Sequence, residues 1–248
     1  MKLKKLVAIT LSAVMCMAAL TGCGGKSDSA KKTAKVIEVD LTDEQYAFGV
    51  DKDQPDLLKE VNQFVKDMKS DGTFDEICNR YFGDGTPVPV KSAAYDESKD
   101  QLVVATNAAF EPFEYMDGEN YVGIDMEIAK ALADKLGKEL VIQNMDFDAV
   151  CLSVGQHKCD VAMAGLTIKP DREEYVAFSD PYYSASQKLI TLSTDTEFDA
   201  CKTADDVNKI LEAKGSDLKI GFQNGTTGQF YCEGAVSYTH LRAHETLA

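Results

Sequence analysis

Histidine is rare in this 248-residue sequence, and its cysteines are not spaced for metal binding. With three histidines in the chain, no Ser-His-Asp or Cys-His set for nucleophilic catalysis can be assembled. No two of the seven cysteines stand as CxxC, the spacing typical of zinc and thioredoxin-like sites. We therefore predict no catalytic residue, no metal and no cofactor.

Basic residues are outnumbered by acidic ones, 26 to 41, which gives a net charge of −15 at pH 7. An acidic surface disfavours nucleic acid and anionic membranes as non-specific partners. The composition, 44% hydrophobic and 27% charged, allows a sizeable core. The length suits one large domain or two small lobes.

Only one long hydrophobic run is present, Leu6 to Leu20, directly after three lysines. It is too short for a comfortable transmembrane span and reads as the apolar part of a signal peptide, residues 1–22. Leu20-Thr21-Gly22-Cys23 resembles a bacterial lipobox, which predicts lipidation of Cys23. The alternative is a plain signal peptide with an incidental cysteine. The polar residues that follow predict a flexible tether over residues 23–38. The remaining cysteines are predicted to be small buried residues: Cys78, Cys151, Cys159, Cys201 and Cys232.

Two organisations follow each other along the rest of the chain. Residues 39–84 predict a short strand over 45–50 and two helices, the first beginning at Pro55 with an apolar face. Glycines and prolines mark a linker over residues 85–100. From Leu102, strands alternate with helices, and strands are expected at 102–106, 139–143, 160–164 and 218–222. This alternation predicts an α/β sheet with helices on its faces.

Polar and aromatic residues follow three of these strands, where ligands bind in α/β sheets. They are Asn107 and Phe110 after the first, Gly165, Thr167 and Arg172 after the third, and residues 223–228 after the fourth. An arginine can hold a carboxylate through two parallel hydrogen bonds. The residues therefore indicate a site for a small carboxylate. Two alternatives stay open: a surface salt bridge of Arg172 with Asp171, Glu173 or Glu174, and a role of the Gly and Thr in turns alone.

Three stretches carry a resemblance to a known family: VVATNAAFEPFEYMDGENYVGIDMEIAKALADKLG, CDVAMAGLTIKPDREEYVAFSDPYY and IGFQNGTTGQFY. The chain resembles the extracellular solute-binding proteins of ABC importers, polar amino-acid type, over about residues 100–234. The resemblance implies an α/β fold of the periplasmic-binding-protein type II, with two lobes and a hinge. Lobe one is expected over 101–190 and the start of lobe two over 191–235.

The same resemblance implies a role for each site residue. Arg172 would pair with the ligand α-carboxylate, and Thr167 would donate to that carboxylate. Gly165 would offer its carbonyl to the α-ammonium, and Phe110 would pack on the ligand side chain. The turn formed by Gly225, Thr226 and Thr227 would close over the carboxylate from lobe two. Asn107 stands where binders of cationic amino acids often have an acidic residue, so the amide favours a polar or neutral side chain.

Two segments depart from the family's order. Residues 39–84 resemble the family's C-terminal end, which adds helices to lobe one, so the domain is either circularly permuted or carries a partial duplicate. We favour permutation, because the apolar helix faces need burial. Residues 236–248 do not continue the family pattern and resemble a translated sequencing adapter. Lobe two is therefore expected to be incomplete and to lack the family's ammonium-binding acidic residue.

The sequence thus predicts a monomeric lipoprotein on the extracellular face of the cytoplasmic membrane that captures an amino acid for an ABC importer. Its partners would be the amino acid, the permease and the membrane that holds its lipid. The alternatives are a dehydratase or lyase on the same fold, or an amino-acid sensor domain.

Overall fold

The computed structural model describes residues 33–215 and 218–235. The predicted signal peptide, Cys23, the first part of the tether and the tail at 236–248 lie outside these ranges. Among the helices of the described residues, none has both the length and the hydrophobicity that a membrane span requires.

The described residues form seven helices and twelve strands. The helices are α1 Pro55–Ser70, α2 Thr73–Phe82, α3 Ile124–Leu136, α4 Phe147–Gly155, α5 Pro170–Glu173, α6 Ala204–Lys214 and α7 Thr227–Ala235. The strands are β1 Ala34–Val36, β2 Glu44–Tyr46, β3 Gly49–Asp51, β4 Gln101–Thr106, β5 Ala109–Phe110, β6 Glu114–Asp117, β7 Asn120–Val122, β8 Glu139–Asn144, β9 Val161–Ala162, β10 Val176–Phe178, β11 Tyr183–Ala185 and β12 Ile190–Leu192.

The main sheet has five strands in the order β10-β3-β9-β4-β8. Strand β4 runs parallel to β8 and β9, whereas β3 and β10 are antiparallel to their neighbours. All six residues of β4 are buried. Alternate side chains of a strand point to opposite faces, so Val104 packs with α1 to α3 while Val103 packs with α4. The sheet with these helices is called lobe one below.

The N-terminal segment is built into lobe one. Strand β3 lies between β9 and β10 and pairs with both. Helix α1 begins at Pro55, as its sequence predicted, and buries Val61, Val65 and Met68 against the sheet. The single strand predicted over 45–50 is two strands, because β2 pairs with β11 before the chain turns to pair with β9 through β3.

Two antiparallel strand pairs, β1–β12 and β2–β11, run between lobe one and a smaller unit. This smaller unit, called lobe two, is centred on a separate apolar cluster: Ile37, Val39, Phe198, Val207 and Leu211. Residues 34–38 were expected to lie in the flexible tether. They instead form β1 and the start of this cluster, because Ile37 has apolar partners in lobe two.

The strand predicted at residues 218–222 is not formed. No described strand pairs with this stretch, and a strand exists only through its hydrogen-bonded ladder. Leu218 and Ile220 pack on the cluster of lobe two instead. The five cysteines in the described residues are free thiols, of which Cys151, Cys159 and Cys232 are buried as predicted and Cys78 and Cys201 are partly exposed.

A buried carboxylate joins the N-terminal helices to α3. Glu127 accepts hydrogen bonds from the Tyr81 hydroxyl at 2.7 Å and the Val88 amide at 2.9 Å, and it pairs with Arg80. The Tyr81 hydroxyl also accepts the Gly123 amide at 2.9 Å. One phenol therefore fixes α2 and the start of α3 to each other.

Replacing Tyr81 by phenylalanine should lower the free energy of unfolding by about 1–3 kcal/mol, because it leaves the Gly123 amide and Glu127 each short of a partner. Denaturant unfolding of the full chain measures the change. Tyr95→Phe is the matched control, since Tyr95 is 56% exposed. Equal stability of the two variants would show that α2 is not held by this contact.

His157 forms a second polar link between the N-terminal segment and the rest of lobe one. Its Nδ1 lies 2.8 Å from Oδ2 of Asp51 in β3, and its Nε2 lies 3.5 Å from Asp53. The hydrogen bond to Asp51, followed by the charge of that carboxylate, raises the pKa of His157 above its usual value. The imidazole is 56% exposed, so water screens the pair.

This link should make the effect of His157→Asn depend on pH. A raised histidine pKa contributes stability that is complete below the unfolded value, near pH 6.5, and is lost as pH rises through the higher folded value. Asparagine tolerates the positive φ of 58° at this position. We expect the denaturation midpoint of wild type to exceed that of His157→Asn by more at pH 6 than at pH 9. A difference that is constant with pH, or larger at pH 9, would contradict the assignment.

Candidate functional site

A cavity of about 650 Å³ lies between the two lobes. Its walls come from the loops after β4, β8 and β9, from the start of α7 and from lobe two. Six of the eight predicted ligand-binding residues line it: Phe110, Gly165, Thr167, Arg172, Thr226 and Thr227. Asn107 and Gly225 lie beside it and bond to residues of its wall. The volume falls in the range of small-molecule sites.

Arg172 is a buried cation with neutral partners. The side chain is 8% exposed and donates to the carbonyl oxygens of Thr167, at 2.9 Å, and Gly225, at 3.1 Å. Burial lowers the pKa of its guanidinium. Within the described chain it has no ion pair with a carboxylate; Asp171, one suggested partner, lies 3.7 Å from Lys169 instead. Since buried charges are normally paired, a carboxylate in the cavity would supply the missing counter-charge.

Phe147 was not singled out from the sequence, yet it lines the cavity and its ring lies 5.1 Å from the Arg172 guanidinium carbon. The signal was an aromatic residue shortly after β8, at the start of α4, much as Phe110 follows shortly after β4. Phe110 is 39% exposed toward the cavity and stacks on Phe113 with ring centroids 5.5 Å apart. The two rings give the cavity an apolar wall beside the arginine.

Gly165 is required by both conformation and space. Its φ of 54° favours glycine, and a Cβ there would lie 3.0 Å from the ring of Phe110. Its amide donates to Oδ2 of Asp125 at 2.8 Å, while the other oxygen of Asp125 accepts the Tyr182 hydroxyl at 2.6 Å. Burial raises the pKa of Asp125 to about 6. The loop that carries Gly165, Thr167 and Arg172 is thus anchored from behind.

The turn before α7 closes on Arg172 from lobe two, through the carbonyl of Gly225. Thr226 caps the helix: its hydroxyl donates to the Gln223 carbonyl at 2.7 Å and accepts the Gln229 amide at 3.3 Å. The start of a helix favours an anion, because its first amides are unpaired and its dipole is positive there. This turn therefore adds positive potential to the arginine side of the cavity.

Asn107 has both ends of its amide engaged by the protein. Its Nδ2 donates to the Met145 carbonyl at 2.7 Å, and its Oδ1 accepts from Gln223 at 2.9 Å. The second bond crosses from lobe one to the stretch that leads into α7. Asn107 in this arrangement holds the two lobes in contact.

Glu44 is a second residue that the sequence did not single out. It is 3% exposed, and its carboxylate accepts from the hydroxyls of Thr167, Thr227 and Thr42 and from the Gln187 amide. No local pattern could have revealed it, because its partners lie more than a hundred residues away along the chain, with the exception of Thr42. It places a negative charge beside the hydroxyls that were predicted to serve the ligand.

Comparison with known proteins agrees with this arrangement. The family model of the bacterial extracellular solute-binding proteins, family 3, matches residues 8–84 and 102–229. The solved structure of the ancestral amino acid-binding protein AncCDT-1, described as a precursor of cyclohexadienyl dehydratase, is similar with a TM-score of 0.51 and 29% identity. That similarity covers 69% of this chain and 64% of the other.

Curated relatives include the arginine-binding extracellular protein ArtP of Bacillus subtilis, 35% identical over 52% of this chain and 53% of its own length. ABC transporter arginine-binding protein 1 of Escherichia coli is 33% identical over 54% of this chain and 50% of its own. Cyclohexadienyl dehydratase of Pseudomonas aeruginosa is 31% identical over 50% and 47%. The chain therefore spans about half the length of these relatives.

The family match extends over most of the chain and includes both segments that form lobe one, around a cavity lined by a buried arginine. The chain belongs to the bacterial extracellular solute-binding proteins, family 3.

Proposed function

We propose that this protein captures an α-amino acid in the cavity between its lobes and presents it to an ABC importer. The observation that carries the proposal is Arg172, a buried guanidinium that lines the cavity and whose hydrogen-bond partners among the described residues are carbonyl oxygens. A carboxylate is the ligand group that matches such a planar cation, because it can accept two parallel hydrogen bonds.

The rest of the cavity fits the remainder of an amino acid. The rings of Phe110 and Phe147 offer apolar surface for the methylene part of a side chain. The start of α7, with Thr226 and Thr227, meets the ligand from lobe two. A ligand held by Arg172 and by α7 would therefore contact both lobes at once.

Such bridging would favour approach of the lobes about a hinge. The two antiparallel pairs β1–β12 and β2–β11 are the connections that would bend, since they join the lobes at both crossings. The permease would recognise the surface formed when the lobes come together.

L-arginine is the first ligand to test, because ArtP and the Escherichia coli relative are named for binding it. The neutral amide of Asn107 does not offer a counter-charge for a guanidinium, so neutral polar amino acids such as L-glutamine belong in the same panel. We propose a binding role without catalysis. Turnover of a cyclohexadienyl substrate by the wild-type chain would replace this proposal with the dehydratase alternative.

We further propose that the protein is a monomeric lipoprotein, anchored through Cys23 on the extracellular face of the cytoplasmic membrane. The lipobox-like Leu20-Thr21-Gly22-Cys23 supports the anchor. The integration of residues 39–84 into lobe one supports a circular permutation, since β3 and α1 supply a strand and a helix that this sheet uses.

Arg172→Gln should weaken L-amino-acid binding by at least about 100-fold, since it removes a charge-assisted pair of hydrogen bonds. Isothermal titration calorimetry with the amino acid that wild type binds best measures the loss. Lys158→Gln is the control, because it removes the same charge from an exposed position of lobe one. Unchanged affinity in Arg172→Gln would refute the site, and a wild-type chain that binds no amino acid would refute the function.

Cys23→Ser should release the protein from the membrane fraction of the cells that express it, because a single lipidated cysteine would be its anchor. Cys16→Ser, in the same apolar leader, should leave the protein with the membranes. Fractionation followed by immunoblotting compares the two variants. The same distribution for both would rule out the lipidation proposal.

A further inference from the structure

Glu44 lies where the two lobes and both crossing segments meet. Its Oε2 accepts the hydroxyl of Thr167 at 2.7 Å and that of Thr227 at 3.0 Å. Its Oε1 accepts the hydroxyl of Thr42 at 2.6 Å and the amide of Gln187 at 3.1 Å. Thr167 belongs to the loop of lobe one that carries Gly165 and Arg172, and Thr227 belongs to the first turn of α7.

The direction of these bonds decides what the two threonines can offer a ligand. A hydroxyl has one proton and two lone pairs. When Thr167 and Thr227 both donate to Glu44, neither has a proton left for a ligand carboxylate. Thr227 already accepts the Gln187 amide at 3.0 Å, so one of its lone pairs is in use. The remaining lone pairs of the two hydroxyls can accept hydrogen bonds from a cationic N–H group. This arrangement favours acceptance from an ammonium over donation to the carboxylate, the role that the family resemblance implied for Thr167.

The charge of Glu44 acts in the same direction. Its carboxylate is 3% exposed and has no cation in ion-pair contact among the described residues. Burial lowers the pKa of both Arg172 and Lys169, and the charge of Glu44 is one of several smaller contributions that oppose this. A negative charge at this place repels a ligand carboxylate and attracts an ammonium.

We propose that Glu44 is a positioning residue that turns the hydroxyls of Thr167 and Thr227 into acceptors for the ligand's α-ammonium, while Arg172 takes the carboxylate. The inference rests on the proposed amino-acid binding and assigns the polarity of that site. It also makes Glu44 a link between the lobes, because one carboxylate oxygen holds a residue from each.

Glu44→Gln tests this with little change in shape. The Gln187 Nε2 can only donate, so the oxygen of the new glutamine stays on the side of Gln187. Its nitrogen then takes the place of Oε2 and donates to Thr167 and Thr227, whose hydroxyls turn their protons toward the cavity. Asp43→Asn is the matched control, since Asp43 is exposed, adjacent in sequence and carries the same charge.

The probes are L-arginine and 5-guanidinopentanoic acid, which lacks the α-ammonium; if the panel identifies another amino acid, that amino acid and its des-amino acid replace them. Calorimetry on the full chain should show that Glu44→Gln weakens binding of the amino acid by at least about tenfold. Its affinity for the des-amino acid should stay equal or rise. The preference for the ammonium-bearing ligand therefore falls at least about tenfold, and Asp43→Asn leaves it unchanged.

Equal losses for both probes would mean that Glu44 only supports the structure, and the proposal would be wrong. If wild type binds no amino acid, the proposed function fails. The role of Glu44 in linking the lobes is then tested by hydrogen exchange on the protein without ligand. Amide hydrogen exchange should be faster in Glu44→Gln than in Asp43→Asn, both at residues 165–168 and at the start of α7. Exchange that matches the control in both places would overturn the link as well.

Discussion

The backbone of residues 45–48 runs between two other parts of lobe one and holds both. The Ala47 amide donates to the Leu166 carbonyl at 2.9 Å, and the Ile168 amide donates to the Gln45 carbonyl at 3.0 Å. On the other side, the Tyr182 amide donates to the Tyr46 carbonyl at 2.9 Å. Without residues 45–48, the Leu166 carbonyl and the Ile168 amide would lose their backbone partners, and the loop that contains them would not keep its shape.

The loop of Gly165, Thr167 and Arg172 therefore depends on a stretch that lies more than a hundred residues earlier in the chain. The same stretch continues into β3, which fills the place between β9 and β10, and it brings Glu44 to the cavity. The same segment therefore completes the sheet and brings Glu44 to Thr167. Helices α1 and α2 add the apolar cover of the sheet, so the segment contributes to stability and to the site together.

Two buried groups of opposite charge, Arg172 and Glu44, make one side of the cavity positive and the other negative. Arg172 offers a cation with carbonyl partners, and Glu44 offers an anion with hydroxyl and amide partners. Neutral hydrogen bonds satisfy the geometry of both groups without cancelling their charge, so each keeps its field for a ligand. An amino acid carries the complementary pair of charges on two groups attached to one carbon atom, which is consistent with the proposed function.

Local patterns were enough to predict the α/β alternation, the long helix that begins at Pro55, the family and the loop of Gly165, Thr167 and Arg172. These follow from local periodicity and from motifs in which the residues lie within a few positions of each other. Contacts between distant segments, in contrast, make β2 and β3 separate strands, pack residues 34–38 on lobe two and leave residues 218–222 without a strand. The tertiary structure alone showed that Glu44 accepts two threonine protons and that Arg172 lacks a carboxylate partner among the described residues. Distant residues must come into contact before strands pair, a hydroxyl donates to a carboxylate or a charge becomes buried. A local sequence pattern does not encode such contacts.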